Sequence, residues 1–275
     1  MHLETISPSQ ITSYLTCPRK YAFRYVEKLP VPFKAAALAF GSAMHGALEV
    51  FHEKRMDGET LPADDVIHAF RVDWEAEVAG ELRFKEEENA TTLRDQGEAL
   101  LRLYVAANAD APVRAVEWPF EVPLINTTTG EVLGPNLRGV FDLILDGDLL
   151  VELKTAARAY DAGTLARHLQ ISAYAYAYRQ SVGRDPTIKV VALLKLKKPR
   201  LDVYEATRTP TDDAWFVHLA VEVSRGIEAG VFPPSPGWQC GDCEYAEPCR
   251  GWRGPSIAVP AAAVHLPVYR EEVRP

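Results

Sequence analysis

Residues 139–155 read Gly-Val-Phe-Asp-Leu-Ile-Leu-Asp-Gly-Asp-Leu-Leu-Val-Glu-Leu-Lys-Thr, and this stretch decides the fold. Two runs rich in Val, Leu, Ile and Phe flank the turn signal Asp146-Gly147-Asp148, so residues 137–146 and 148–155 are expected to pair as a hairpin. Strand side chains alternate faces, which sends Glu152 and Lys154 to one side while Val151 and Leu153 enter a core on the other. Asp142, on the neighbouring strand, can reach that same side. Two carboxylates this close repel unless a hard cation lies between them, and Mg²⁺ or Mn²⁺ takes such oxygen ligands. A lysine beside the cation can orient and help to deprotonate a water, or neutralise charge developing on a phosphoryl oxygen. Taken alone, the three residues also fit a cross-strand salt bridge on a solvated face.

Outward from the hairpin, residues 113–125 and 187–194 read as further strands, with a helix over 162–180 between the hairpin and the last of them. Upstream, Ser7 is positioned to cap a helix entered through Pro8, a second helical segment around Phe23 follows Pro18, and helical spacing continues over 38–56, 63–80 and 91–109. A final helix is expected at 211–229. The fold class is therefore α/β: a small mixed sheet flanked by helices, with an N-terminal helical elaboration and a C-terminal Cys-rich loop. One domain over 1–253 is expected, comprising a mainly helical part (1–110), a sheet core (111–210) and a closing helix with the cysteine segment (211–253). Residues 254–275, rich in Pro, Ala and Val, read as an appended tail.

The 275 residues, 47% hydrophobic and 25% charged, are enough to bury a sizeable core. Neither a leader-like amino terminus nor an apolar run long enough to cross a bilayer is found, so a cytoplasmic protein without membrane contact is expected. A net charge of −8 argues against a protein that coats nucleic acid nonspecifically, because Lys and Arg supply most of that affinity. Any nucleic-acid site must be a local basic groove, with Arg19, Lys20 and Arg24, or Lys189, Lys195, Lys197, Lys198 and Arg200, as candidates.

Other residues extend the candidate site. His45, in Gly41-Ser42-Ala43-Met44-His45-Gly46, could add a nitrogen ligand to the cation, although a lone histidine also fits a simple surface or packed role. Gln170 and Tyr174 lie one helical turn apart and share a face that could touch a phosphate or base, while the tyrosines at 174, 176 and 178 also suit packing. Glu117 is a possible extra carboxylate. Cys17 stands far from the Cys240-x2-Cys243-x5-Cys249 run, and in a reducing compartment four such thiols point to a metal centre. Spacing alone leaves tetrahedral zinc and an iron–sulfur cluster both open.

In order along the chain, Cys17-Pro18-Arg19-Lys20-Tyr21, Gly41 to Glu49, Gly139 to Asp142, Glu152-Leu153-Lys154-Thr155, Gln170 to Tyr174 and the terminal cysteines resemble the RecB-like PD-(D/E)xK nucleases. The likeness spans roughly residues 5 to 252, and it is greatest to the iron–sulfur members, such as the AddB nuclease domain and the CRISPR-associated RecB-like exonucleases. The resemblance implies that His45, Asp142, Glu152 and the Leu153 carbonyl hold a catalytic Mg²⁺ or Mn²⁺, with Lys154 catalytic and Gln170 and Tyr174 assisting in a DNA channel. It favours a structural [4Fe–4S] cluster over zinc at Cys17, Cys240, Cys243 and Cys249. The expected activity is exonucleolytic hydrolysis of DNA, on single-stranded ends, in repair, recombination or CRISPR-type processing. Phe141 replaces the proline that names the motif, and Glu152 stands where many relatives have Asp. A G-x-x-x-x-G-K-[ST] loop is missing, so a helicase motor would have to be a partner chain. The competing reading is a noncatalytic module that binds DNA ends or a partner and is stabilised by a Cys₄ metal centre. A broken acidic triad would mark it, and the triad here is intact.

Overall fold

The computed structural model describes residues 2–252. The segment read as a tail, 254–275, lies outside the described residues, as does residue 253 at the end of the expected domain. From the amino terminus come β1 (Thr5–Ile6), α1 (Pro8–Thr16), α2 (Pro18–Tyr21) running into a π-helical turn (Ala22–Val26), and β2 (Lys34–Ala35). The helical part continues with α3 (Ala36–Met56), α4 (Ala63–Val78), β3 (Leu82–Arg83) and α5 (Ala90–Asn108). Then follow β4 (Val113–Ile125), β5 (Val132–Leu145), β6 (Leu149–Ala156), α6 (Ala162–Ala166), α7 (Leu169–Val182), β7 (Thr187–Leu194), β8 (Arg200–Ala206), α8 (Pro210–Glu228) and α9 (Ala246–Gly251).

Local chemistry accounts for many of these boundaries. Ser7 caps α1 in a reciprocal box with Gln10, and Thr209 does the same for α8 with Asp212. Gly183 ends α7 in the left-handed region, at φ 73°. Three expectations needed revision. The helix read over 162–180 breaks at Arg167-His168 into α6 and α7, the helical segment around Phe23 is a short helix with a π turn, and β8 was not anticipated. In β8 the charges Arg200, Asp202 and Glu205 mask the alternation that would have marked a strand.

Strands β4–β8 and β1 form one six-stranded mixed sheet, in which β6 and β7 are parallel and β4–β5, β5–β6 and β7–β8 are antiparallel. Helices α1, α7 and α8 cover one face over a core that includes Phe141, Ile171, Tyr176 and Phe216. Helices α3, α4 and α5 cover the other, over Phe40, Phe70, Leu100, Leu143 and Leu153. This is the expected layered arrangement. No helix among the described residues is long and apolar enough to cross a membrane.

Strand β5 is paired unevenly, and that unevenness positions the site. Along one edge it pairs with β4 from Val132 to Leu145. Its other edge meets β1 only at Asn136 and Leu137, and β6 only from Leu143 to Leu145. The stretch between, residues 138–142, is an open strand edge inside the sheet. Buried backbone groups need partners, and side chains supply them here: the Tyr174 hydroxyl donates to the Val140 carbonyl at 2.6 Å, and the Leu153 N–H donates to Asp142 Oδ2 at 2.9 Å. Gly139 keeps this stretch thin, because a Cβ there would come within 2.5 Å of the Phe120 ring.

Candidate active site

Asp142 is the next residue after the last β5–β6 pair, Leu143↔Val151, so Glu152 lies opposite it where the two strands part. Val151 and Leu153 enter the helical-side core as expected. Glu152 is 1% exposed, and neither of its carboxylate oxygens accepts a well-aligned hydrogen bond. The Lys154 ammonium lies against Glu152 Oε1. Burial and the Asp142 charge, only partly offset by Lys154, push the Glu152 carboxyl up to about 8. Burial opposes the Lys154 charge, but Glu152 and Asp142 outweigh it and hold the ammonium pKa above its ordinary value.

Glu117 completes the group. It sits on β4 between Val116, paired with Leu143, and Trp118, paired with Phe141, which places it opposite Asp142. Its backbone has φ 42°, a left-handed conformation that a glutamate adopts only at a cost of about 1–3 kcal/mol. Phe141 and Leu143, two apart on one strand, belong to opposite cores, so both strands lose their regular alternation at this point. Ligand atoms of His45 (on α3), Glu117 and Asp142 all lie within 4.8 Å of one another. Burial, then Asp142 and Glu49, raise the Glu117 carboxyl to about 7. This imidazole and these two carboxylates fit a hard divalent cation, and Glu152, paired with Lys154 beside Asp142, lies outside that close group.

These shifts set a pH dependence. Glu152 goes from about 4.5 unfolded to about 8 folded, so its stabilising contribution is complete below 4.5 and is lost as pH rises through 8. In EDTA, the melting temperature of the protein should fall between pH 5 and 9, less steeply in Glu152→Gln, and Mn²⁺ should raise it more at pH 8 than at pH 5.5. Parallel pH profiles for parent and Glu152→Gln would remove Glu152 as the cause.

Asp142 and Lys154 open into a groove of about 1610 Å³ that runs between α1, the π turn, β2 with the start of α3, and the α6–α7 corner. Lys20, Arg24, Lys34 and Arg167 line it, together with Ser9, Thr12 and Ser13 of α1. A smaller recess behind Asp142, of about 590 Å³, holds His45, Glu49, Asp73 and Glu117. Asp142 borders both.

A family model for the PD-(D/E)XK nuclease superfamily matches residues 5–250. The chain belongs to that superfamily. Among solved structures, a protein from Eubacterium rectale described as a "putative exonuclease" aligns at TM-score 0.57 and 17% identity, covering 95% of this chain and 94% of that one. SSO0001 aligns at TM-score 0.44 and 14% identity over 90% and 85% of the respective chains. A search of curated proteins found no match.

Within this PD-(D/E)XK nuclease chain, Gln170 and Tyr174 both border the groove, but Tyr174 is 6% exposed and its hydroxyl is already given to Val140. Gln170 Nε2 donates to the Tyr174 hydroxyl at 2.8 Å, which leaves the amide oxygen for a substrate. Tyr176 and Tyr178 pack and anchor, donating to Pro123 O and Asp148 Oδ1, both at 2.6 Å. Of the basic candidates, only Lys20 and Arg24 line the groove. Arg19 pairs with Glu27 at 2.7 Å and stacks on Phe23, whereas Lys189, Lys195 and Arg200 pair with Glu205, Glu88 and Asp202 elsewhere. Lys34, Arg167 and His168 were missed, since residues at element ends and corners reach a groove only through tertiary placement.

The cysteines of this nuclease chain converge from both ends of the sequence. Cys17 sits between α1 and α2, and the Arg19 N–H donates to the Pro233 carbonyl at 3.2 Å, binding the two terminal segments. Burial and then the neighbouring Cys17, Cys243 and Cys240 raise the Cys249 thiol. Among the described residues, no three sulfurs lie within 4.8 Å of one another.

Proposed function

We propose that this chain is a divalent-cation-dependent DNA exonuclease acting on single-stranded ends, in DNA repair, recombination or CRISPR-type processing. One observation carries the reading: His45, Glu117 and Asp142 gathered within 4.8 Å of one another, with buried Glu152 and its Lys154 partner next to Asp142, at the edge of a groove that Lys20, Arg24, Lys34 and Arg167 help to line. His45, Glu117, Asp142 and Glu152, with the Leu153 carbonyl, would hold Mg²⁺ or Mn²⁺. When bound, the cation supplies Lewis-acid polarisation of the phosphate and eases deprotonation of water. Lys154, charged and 27% exposed toward the groove, orients the attacking water and offsets negative charge on the phosphate. Arg24 and Arg167 draw the backbone in, Lys20 and Lys34 already pair with Glu244 and Glu77, and hydroxyls on α1 can contact its phosphates.

A structural [4Fe–4S] cluster at Cys17, Cys240, Cys243 and Cys249 is part of this proposal. The order and spacing of the four cysteines resemble those of the iron–sulfur members, and that likeness favours the cluster over tetrahedral zinc. A cytoplasmic setting, which keeps thiols reduced, suits such a site. Any helicase motor would be contributed by a partner chain.

The test is cleavage of end-labelled single-stranded and duplex DNA by anaerobically purified protein with Mn²⁺, Mg²⁺ or EDTA. Cation-dependent shortening of the single strand from an end is expected, blocked by EDTA. Binding without cutting, in protein shown to retain its cluster, would overturn the reading in favour of a noncatalytic module.

A further inference from the structure

We propose that Arg208 is a positioning residue for the cleavage reaction: its guanidinium clamps the α6–α7 corner and so fixes His168 and Gln170 at the groove. The inference rests on the nuclease reading above and adds a residue to it.

Only Arg167 and His168 separate α6 from α7, so carbonyls at the end of α6 lie next to the start of another helix and need donors. Arg208, two residues past β8, adds a side-chain donor to the Leu165 and His168 carbonyls, which also accept from the His168 and Ser172 N–H groups. Its Nε donates to Ser172 Oγ at 2.8 Å, and its Nη2 donates to the Leu165 carbonyl at 2.8 Å and more weakly to the His168 carbonyl at 3.4 Å. The Nη1 donates to the Thr207 carbonyl at 2.8 Å. One planar fork therefore spans the end of α6, the corner and the first turn of α7. All four acceptors are neutral. Asp212, the carboxylate whose charge acts on Arg208, is itself engaged in capping α8 through Thr209. A half-buried cation spent on carbonyls and a hydroxyl contributes geometry more than charge pairing, and a guanidinium has the fixed donor fork this requires.

The clamp has its own anchor. Arg179, near the far end of α7, donates to the Arg208 carbonyl, to Asp213 of α8 at 2.7 Å and to Asp185 at 2.6 Å. The corner is thus referred to α7, α8 and the end of β8 together. From the corner the path to the reacting groups is short. Gln170 donates to the Tyr174 hydroxyl, which donates to the Val140 carbonyl two residues before Asp142. His168 also lines the groove, and its Nδ1 is buried without a hydrogen-bond partner among the described residues.

Arg208→Lys keeps the charge and loses the fork, while Arg208→Ala loses both. With saturating Mn²⁺, both variants should cut single-stranded DNA with kcat reduced about tenfold. Introduced into Gln170→Ala, either should cost less than about threefold, because the two residues act through one path. Amide exchange across residues 165–172 should rise in both variants. A purely structural role predicts instead the same loss in either background, tracking the melting temperature. Parental kcat in Arg208→Lys, full additivity with Gln170→Ala, or unchanged exchange at the corner would each overturn the clamp while leaving the nuclease reading intact. A parent protein that cuts no DNA with any cation would overturn both.

Discussion

Lys154→Ala should lower the single-turnover cleavage rate by about 100- to 1,000-fold, the loss typical of deleting one preorganised charge-stabilising donor. Lys154 is the cation held between buried Glu152 and the open groove, and its charge is maintained by Glu152 and Asp142. The substitution leaves Glu152 without its ammonium, and an unpaired buried charge normally costs several kcal/mol. Here the fold survives near neutral pH, because a carboxyl pushed to about 8 is already largely protonated there and stays so without Lys154. The loss of stability should therefore be small at pH 6 and larger at pH 9, where staying protonated is harder. Rates measured in Mn²⁺, with melting curves at both pH values, check each half. Cleavage within tenfold of the parent would sink the role assigned to Lys154.

Cys17→Ala should lower stability by on the order of 5 kcal/mol, by analogy with cross-links that close very long loops. Cys17 and Cys240 are separated by nearly the whole domain, and joining them through a metal centre removes much of the freedom of the unfolded chain. For a chain of this size that corresponds to roughly 10–20 °C in melting temperature. Activity should fall secondarily, because the tied segments carry Lys20, Arg24, Asp242 and Glu244 on the groove wall. The Lys20–Glu244 pair, at 2.8 Å, joins the same two segments but lies near the surface and cannot substitute for the staple. Anaerobic melting, with iron, sulfide and zinc content measured in parallel, decides the point. An unchanged melting temperature in protein lacking the centre would refute the staple, and stoichiometric zinc in colourless protein would replace the cluster.

The hairpin and the layer order were legible because they rest on period-two alternation and turn chemistry, and Asp142, Glu152, Lys154 and His45 were named as candidates from that hairpin and an ordered series of short motifs. Glu117 was only a weak candidate, since nothing local announces that its register places it across from Asp142 or that its backbone turns left-handed there. For Tyr174 the sequence left packing and substrate contact both open. Sequence shows a helical face but not that β5 leaves a carbonyl needing a donor, and that need is what occupies the hydroxyl. The basic groove was half found. Lys20 and Arg24 sit beside a recognisable cysteine and border the groove, though Lys20 pairs with Glu244, whereas the 189–200 cluster had only its charge to recommend it and does not border the groove.

The open edge of β5 bears on what kind of cut the fold permits. Ligands of many α/β sheets are met at the carboxyl ends of strands, where a chain arrives end-on. Here Gly139, Val140 and Asp142 face the groove from the flank of a strand, between β1 and β6. That flank is a short window, closed by β1 at Asn136 and Leu137 and by β6 from Leu143, so in the proposed reading a polynucleotide would reach Asp142 across the strand rather than along it. Under that reading, whatever tells a terminus from an internal linkage would be built by the walls, from α1, the α6–α7 corner and the cysteine-bearing segment.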